Sequence, residues 1–254
     1  MSANPLQVQL LAQGAAVGPQ LHRLLRDQII RGEIPPGARI SETEIASSWA
    51  VSRQPVREAF IKLAEEGLVE VRPQRATFVT LISVPAVMTA RFIREAVEAD
   101  IVRLVAETAD AAALALLDQR IAEQRALGPA ASGDDFMRAD EEFHRTLAEL
   151  AARAAVADHL ETLKIQMNRV RHISARQFSR ERLIAQHSEV VEAIRAGDPT
   201  RAAAAMRLHL REIVADLPGI IAGLPNFFVG TAPDLPPGPE HAPANPQPQA
   251  RAEA

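Results

Sequence analysis

Seventeen residues, Val51-Ser-Arg-Gln-Pro-Val-Arg-Glu-Ala-Phe-Ile-Lys-Leu-Ala-Glu-Glu-Gly67, constrain the fold more tightly than any other stretch of the chain. They read as one helix built to present its first turn. Ser52 stands where a side-chain oxygen caps the orphan backbone N–H groups of a helix start. Pro55 lies in the first turn, where a missing N–H costs little. Gly67 ends the run as a residue free to turn left-handed. Val56, Phe60 and Leu63 recur at helical spacing and predict a buried stripe. Arg53 and Arg57, four apart, share another face near the helix start, with Gln54 beside them. Two guanidiniums and an amide in that position match phosphate oxygens and guanine edges, which accept bidentate contacts from arginine.

The flanking residues give this helix a context. A first helix is expected from about Val17 to Arg31, with Leu21, Leu24, Leu25, Ile29 and Ile30 on one side, stopped by Gly32 and Pro35-Pro36-Gly37. Ser41-Glu-Thr-Glu44 has the spacing of a capping box and opens a second helix, about 42 to 48. Only Trp49, Ala50 and Val51 separate it from the helix described above, which predicts a helix-turn-helix. Beyond Gly67, Leu68–Arg72 and Thr77–Leu81 are rich in β-branched residues, with Pro73-Gln-Arg-Ala76 between them as a hairpin tip. The expected module is a winged helix, with Arg72 and Arg75 flanking the tip, suited to a phosphate backbone or a minor groove. A lone exposed arginine pair is usually a solvated surface. Here the arginines coincide with a capped helix start, a tight turn and a hairpin tip.

Charge follows the same division. The segment Val17–Ile82 carries nine Lys/Arg against eight Asp/Glu, and the remainder nineteen against twenty-four. A small basic patch on an acidic protein suits specific DNA binding with modest non-specific affinity. The chain has no cysteine, which excludes disulfides and thiolate metal sites and fits a reducing compartment. The first residues lack the layout of a signal peptide, and no apolar run approaches the ~20 residues needed to span a bilayer. The expected location is therefore the cytoplasm, away from membranes.

Residues 20 to 82 resemble the N-terminal domain of the GntR family of bacterial transcription regulators. The residues that carry the resemblance are Val51-Ser-Arg-Gln-Pro-Val-Arg-Glu-Ala59, Leu63, Glu66-Gly-Leu-Val69 and Arg72-Pro-Gln-Arg-Ala-Thr-Phe-Val79. The resemblance implies that Ser52, Arg53, Gln54 and Arg57 touch operator DNA and that the wing tip, with Arg72 and Arg75, reaches a minor groove. Two departures stand out. Ala76 occupies a wing position where the family usually has glycine, and Thr43 stands where it frequently has a phosphate-contacting arginine.

From about 84 to 228 the chain reads as helices throughout: 85–108, 110–127, 134–154, 156–178, 180–196 and 199–216. Caps or breaks fall at Asp110, Gly128-Pro129, Ser132-Gly133-Asp134, Ser179 and Gly197-Asp198-Pro199. Short connections predict antiparallel neighbours in a bundle. Asp140 and His144, four apart, project from one helix face. His187 and His209 lie eleven residues either side of Asp198, so an antiparallel hairpin sets them opposite each other. One carboxylate and three imidazoles then converge, a donor set that suits Zn²⁺, Mn²⁺, Fe²⁺ or Ni²⁺. The plainer reading, four hydrogen-bonded core residues, stays open on spacing alone.

Residues 84 to 217 resemble the all-helical effector domain of the FadR-type subfamily, the FCD domain. Carrying residues are Arg94 with Glu98, Asp140-Glu-Glu-Phe-His144, His187, Gly197-Asp-Pro199 and His209-Leu210. The resemblance implies a divalent metal held by Asp140, His144, His187 and His209, with a small organic or sugar acid over it. Arg94 and Arg171 are candidates for carboxylate recognition through the planar guanidinium fork, and Asn168 for a further hydrogen bond. Arg94 could instead pair with Glu98 on its own helix, and Asn168 could be a surface residue. The segment Gly223–Phe228 resembles a terminal element of some members, and 229–254, rich in Pro, Ala and Gln, reads as a disordered tail.

The expectation is a mainly α protein with four parts: an arm (1–16), a winged helix-turn-helix (17–82), an antiparallel helical bundle (84–228) and a tail. Its expected role is that of a homodimeric, metabolite-responsive repressor on a palindromic operator. The alternative, from another class, is a metal-dependent enzyme using the Asp/His group to activate water. Against it, no Glu stands beside a ligand in an H-E-x-x-H arrangement.

Overall fold

The computed structural model describes residues 12, 14–72, 76–128, 131–174 and 179–232. The N-terminal unit contains α1 (Val17–Ile30), β1 (Arg39–Ile40), α2 (Glu42–Ser48), α3 (Arg53–Glu65), β2 (Val69–Arg72) and β3 (Ala76–Val79). The strands form an antiparallel sheet in the order β1-β3-β2, with Arg72 opposite Ala76 and Val69 opposite Val79. Ala76 therefore opens β3 and does not sit at the tip; residue 75, and with it the expected Arg75 contact, lies outside the described residues. β1 has no counterpart in the sequence reading, because two residues are too short to show a period. Leu21, Leu25 and Ile29 of α1 meet Ile45 of α2 and Val56, Phe60 and Leu63 of α3 in one buried cluster.

The turns show how these helices are ended. Leu68 N–H reaches the Leu63 carbonyl at 2.9 Å and Gly67 N–H that of Ala64 at 3.0 Å, a Schellman closure with Gly67 at φ 70°. α2 closes in the same way: Val51 N–H bonds Ala46 and Ala50 N–H bonds Ser47. There the left-handed residue is Ala50, at φ 52°, which costs about 1 kcal/mol that glycine would avoid. The helix starts differ from expectation. Ser41 accepts from Glu44 N–H at 3.5 Å, without the return contact of a full capping box. Ser52 occupies the N-cap of α3 but makes no side-chain cap hydrogen bond. A complete box forms instead at Ser132 and Asp135.

The second unit is helical: α4 (Val84–Thr108), α5 (Ala111–Ala126), α6 (Gly133–Leu150), α7 (Ala154–Leu163), α8 (Ile165–Ile173), α9 (Arg180–Arg195) and α10 (Pro199–Gly223). α10 lies against α4 and α9, and α5 against α6 and α9, around a core that includes Val102, Leu117, Phe143, Val190 and Met206. The single helix expected over 156–178 is two, broken at Lys164, whose buried ammonium is drawn to Glu161 at 2.6 Å and Glu141 at 3.4 Å. The last helix runs past the expected end at 216, across Pro218, because Leu217 and Ile220 are buried on the same face as Ile213. After η1 (Pro225–Phe227), β5 (Phe228–Val229) returns to pair in parallel with β4 (Ile82–Ser83). Val229 thus belongs to the fold; residues 233–254 of the expected tail lie outside the described residues.

α8 joins the two units. Its Ile165 enters the N-terminal core, and its Ile173 packs where a Cβ on Gly32 would fall 2.9 Å away. Between them Arg169, 1% exposed, donates to the Thr80 carbonyl at 2.6 Å and the Thr80 hydroxyl at 3.2 Å.

Candidate metal centre and DNA-binding face

The start of α3 leaves Ser52, Arg53, Gln54 and Arg57 exposed, with Thr43 exposed in the first turn of the neighbouring α2. Val56, Ala59 and Phe60 anchor the opposite face. Glu42 holds both guanidiniums lightly, Arg53 at 3.3 Å and Arg57 at 3.5 Å. Such exposed pairs contribute little to stability, so a phosphate or a guanine can replace them cheaply. Gln54 donates to Glu58 at 3.1 Å. On the wing Arg72 lies over the Phe78 ring at 4.9 Å and pairs with Glu70 at 2.9 Å, which holds its guanidinium pKa above the usual arginine value.

Inside the bundle the four expected ligands meet. Asp140, His144, His187 and His209 place one ligand atom each within 4.8 Å of one another, and all four are buried. His209 Nε2 lies 3.2 Å from Nε2 of both His144 and His187, and Asp140 Oδ1 lies 3.6 Å from Nε2 of His187. The α9–α10 hairpin sets the last two histidines opposite each other, and the i, i+4 spacing on α6 stacks the first two donors.

Outer partners decide which nitrogen of each ring faces inward. Gln124 donates its amide to the Ala139 carbonyl, so its oxygen faces His187 Nδ1 at 2.8 Å. Gln186 donates to Glu212, so its oxygen faces His209 Nδ1 at 3.1 Å. Glu98 Oε2 stands 2.7 Å from His144 Nδ1, close enough for a small rotation to complete the hydrogen bond. Acceptors outside put the ring protons on Nδ1 and leave three Nε2 lone pairs pointing at one another. With His209 Nε2 3.2 Å from each of the other two, these acceptors repel; a cation among them removes the conflict.

The carboxylate gives the same result. Both Asp140 oxygens are buried without an aligned hydrogen bond among the described residues, although Arg171 approaches Oδ2 at 2.7 Å. Burial alone would raise the Asp140 carboxyl; the Arg171 guanidinium and then the imidazoles outweigh it and hold the group well below the usual range. Burial pushes the His187 imidazole down to about 3 against the pull of Asp140. His209 is also held well below its ordinary value, by burial and then by His187 and His144. At neutral pH the centre therefore offers an anionic oxygen and unprotonated His187 and His209, the state in which these groups bind metal. The residues fit a divalent ion.

Beside His209 a cavity of about 620 Å³, its open mouth included, reaches toward solvent. Arg94 and Arg171 line its inner end. Arg94, 4% exposed, holds Glu98 through two hydrogen bonds at 2.5 and 3.3 Å, so the ion pair on its own helix and the position at the cavity coexist. Asn168 is placed elsewhere: it donates to Glu141 at 3.1 Å and lines a second, polar cavity with Arg26, Arg31 and Asp134. Sequence reasoning missed Gln124, Gln186 and Arg180. Their signal was positional: Gln124 and Gln186 lie on helices that only the tertiary fold sets against the histidines, and Arg180 lies just after the Ser179 cap.

Comparison with known proteins agrees with both halves. Residues 19–79 match the family described as bacterial regulatory proteins, gntR family, and residues 90–212 match the FCD domain. The HTH-type transcriptional repressor RspR of Escherichia coli (strain K12) is 39% identical over 198 residues, covering 78% of this chain and 87% of that protein. The chain belongs to the GntR family. A transcriptional regulator of this family from Rhodococcus sp. RHA1 has a solved structure 30% identical, with TM-score 0.59, over 82% of this chain and 98% of that one. E. coli McbR/YncC, 19% identical with TM-score 0.65 over 80% and 97%, shares the fold. The protein is thus a DNA-binding transcription regulator with an FCD domain, and family membership sets aside the enzyme reading. Among the described residues no helix is long and apolar enough to cross a membrane.

Proposed function

We propose that this regulator works as a cytoplasmic homodimeric repressor. It binds a palindromic operator through Ser52, Arg53, Gln54 and Arg57, with Thr43 and the wing arginines Arg72 and Arg75 placing the phosphate backbone. Asp140, His144, His187 and His209 hold a divalent ion, Zn, Mn, Fe or Ni. A small organic or sugar acid binds over it beside Arg94 and Arg171, with Asn168 as a further polar group of the domain. The observation that carries this reading is the inward convergence of one buried carboxylate and three Nε2 atoms at the inner end of an arginine-lined cavity. When bound, the metal supplies a Lewis-acidic anchor for a carboxylate. Repression is favoured by the name of the E. coli relative.

The dimer follows from reach: one short recognition helix reads few base pairs, and a two-fold pair reads two half-sites. Ligand changes operator affinity only if it binds one arrangement of the winged domains better than the other. α8 supports such coupling, because Met167 and Arg171 face the cavity while Ile165 and Arg169 hold the winged unit. Selection of binding sites from a random duplex library tests the proposal. A symmetric site bound at two protomers per duplex is expected, with affinity lowered by a cavity-binding acid only in metal-loaded protein. An asymmetric site bound by one protomer, or an acid response indifferent to chelation, would overturn it.

A further inference from the structure

The cavity beside the metal centre has walls that say more about its ligand than its charged end does. Phe136 and Met137 of α6, Met167 of α8, Leu183 of α9 and Leu210 and Ile213 of α10 line it, so four helices each contribute apolar surface. The polar lining is already engaged. At the inner end Arg94 is held by Glu98 and Arg171 by Asp140. With both arginines matched by carboxylates, a bound divalent ion leaves this end with a net positive charge, which an entering carboxylate would lower by half. Glu212 is taken by Arg182 at 2.7 Å and by Gln186 at 2.8 Å. Arg180 donates to the carbonyls of Gly128 and Ala131 and lies 5.6 Å from the Phe136 ring centre. Apart from these groups and His209, the lining side chains are apolar.

We infer that the acid this cavity takes has an apolar body: its carboxylate lies at the metal end, and a short hydrocarbon chain or ring fills the space between the Phe136, Met137, Met167, Leu183, Leu210 and Ile213 side chains. This rests on the metal-and-acid reading above and narrows it, because it sets sugar acids aside. A hydroxyl carried into these walls exchanges its water bonds for none, whereas each methylene that replaces a hydrated carbon gains from burial. An unmatched buried hydroxyl lowers affinity by about tenfold or more. A six-carbon aldonic acid carries five hydroxyls, and the straight-chain acid of equal length none. The aliphatic acid is therefore the stronger ligand by several orders of magnitude.

Calorimetric titration of the full-length, metal-loaded protein with butyrate, hexanoate, octanoate, benzoate and gluconate tests this directly. Hexanoate or benzoate should bind at least a hundredfold more tightly than gluconate. Met167→Gln and Met137→Gln, which keep side-chain length while adding polarity, should each weaken the aliphatic acids by about tenfold at unchanged metal content. Two variants on different helices guard against one that fails to fold. Tighter binding of gluconate than of any apolar acid would overturn this inference and leave the metal-and-acid reading standing. Binding of no acid to fully metal-loaded protein would overturn both.

Discussion

Arg169 is a charge buried at the junction of the two units, and its replacement separates stability from coupling. Its guanidinium is 1% exposed, has no acidic partner among the described residues, and is pushed down to about 10 by burial. A fall of that size from 12.5 corresponds to about 3 kcal/mol spent on keeping the charged form in place. Against this stand its hydrogen bonds to the Thr80 carbonyl at 2.6 Å, the Thr80 hydroxyl at 3.2 Å and Gln166 at 3.1 Å. Charged hydrogen bonds contribute roughly 1.5–3 kcal/mol each, but Thr80 and Gln166 are both partly exposed and regain water when released, so losing all three costs about 3–5 kcal/mol, less than their full sum. Arg169→Met removes charge and bonds together while keeping an apolar stem, so the two effects nearly cancel. Global stability should change by less than about 2 kcal/mol. Arg169→Ala also opens a cavity and should cost about 2–4 kcal/mol. The local effect is larger than the global one: the connection from β3 to β4 loses its anchor, and amide exchange over residues 80–83 should rise about ten- to a hundredfold. Acid-induced change in operator affinity should fall in the same variant, since α8 no longer grips the winged unit. Thermal unfolding with hydrogen-exchange mass spectrometry reads both quantities. A loss above about 4 kcal/mol in Arg169→Met, or unchanged exchange over 80–83, would refute the reasoning.

Two further outcomes are expected. Arg57→Ala should weaken operator binding by about 1–3 kcal/mol if the guanidinium contacts a guanine; equal losses on operator and random DNA would make it a phosphate contact. Metal-stripped protein should lose stability on acidification, because His187 folds with a pKa of about 3 against about 6.5 in the unfolded chain, so the unfolded state binds the extra proton. The penalty is absent above the unfolded value and grows as pH falls from there toward 3, amounting to about 1–2 kcal/mol between pH 7.5 and 5.5 from His187 alone. His209 acts in the same direction. Urea unfolding with chelator present should show a shallower pH slope in His187→Gln, and an unchanged slope would contradict the burial argument.

Much of this architecture is legible in the residues, and the exceptions have physical causes. α2 and α3 stand out because caps, an early proline and Gly67 punctuate a 3.6-residue stripe, and those signals act locally. The break at Lys164 is not local: nothing in the helical pattern of 154–173 interrupts it, and the carboxylates that draw Lys164 inward include Glu141 on another helix. The pairing of β4 with β5 joins residues 82–83 to 228–229, a contact between segments too short to carry a period. The Asp/His cluster is legible because the symmetry of His187 and His209 about the α9–α10 turn is written in spacing. Its supports are not. Gln124 and Gln186 look like ordinary exposed-face glutamines until the fold turns each one toward a ring nitrogen.

Metal content of the purified full-length protein, alone and with Asp140, His144, His187 or His209 replaced by alanine, tests the central claim most directly. The account predicts one divalent ion per chain in the native protein, lost or sharply reduced in each variant, with the His187→Ala protein still binding operator. Native protein that stays metal-free after exposure to Zn²⁺, Mn²⁺, Fe²⁺ and Ni²⁺, or variants that keep a full complement, would contradict it.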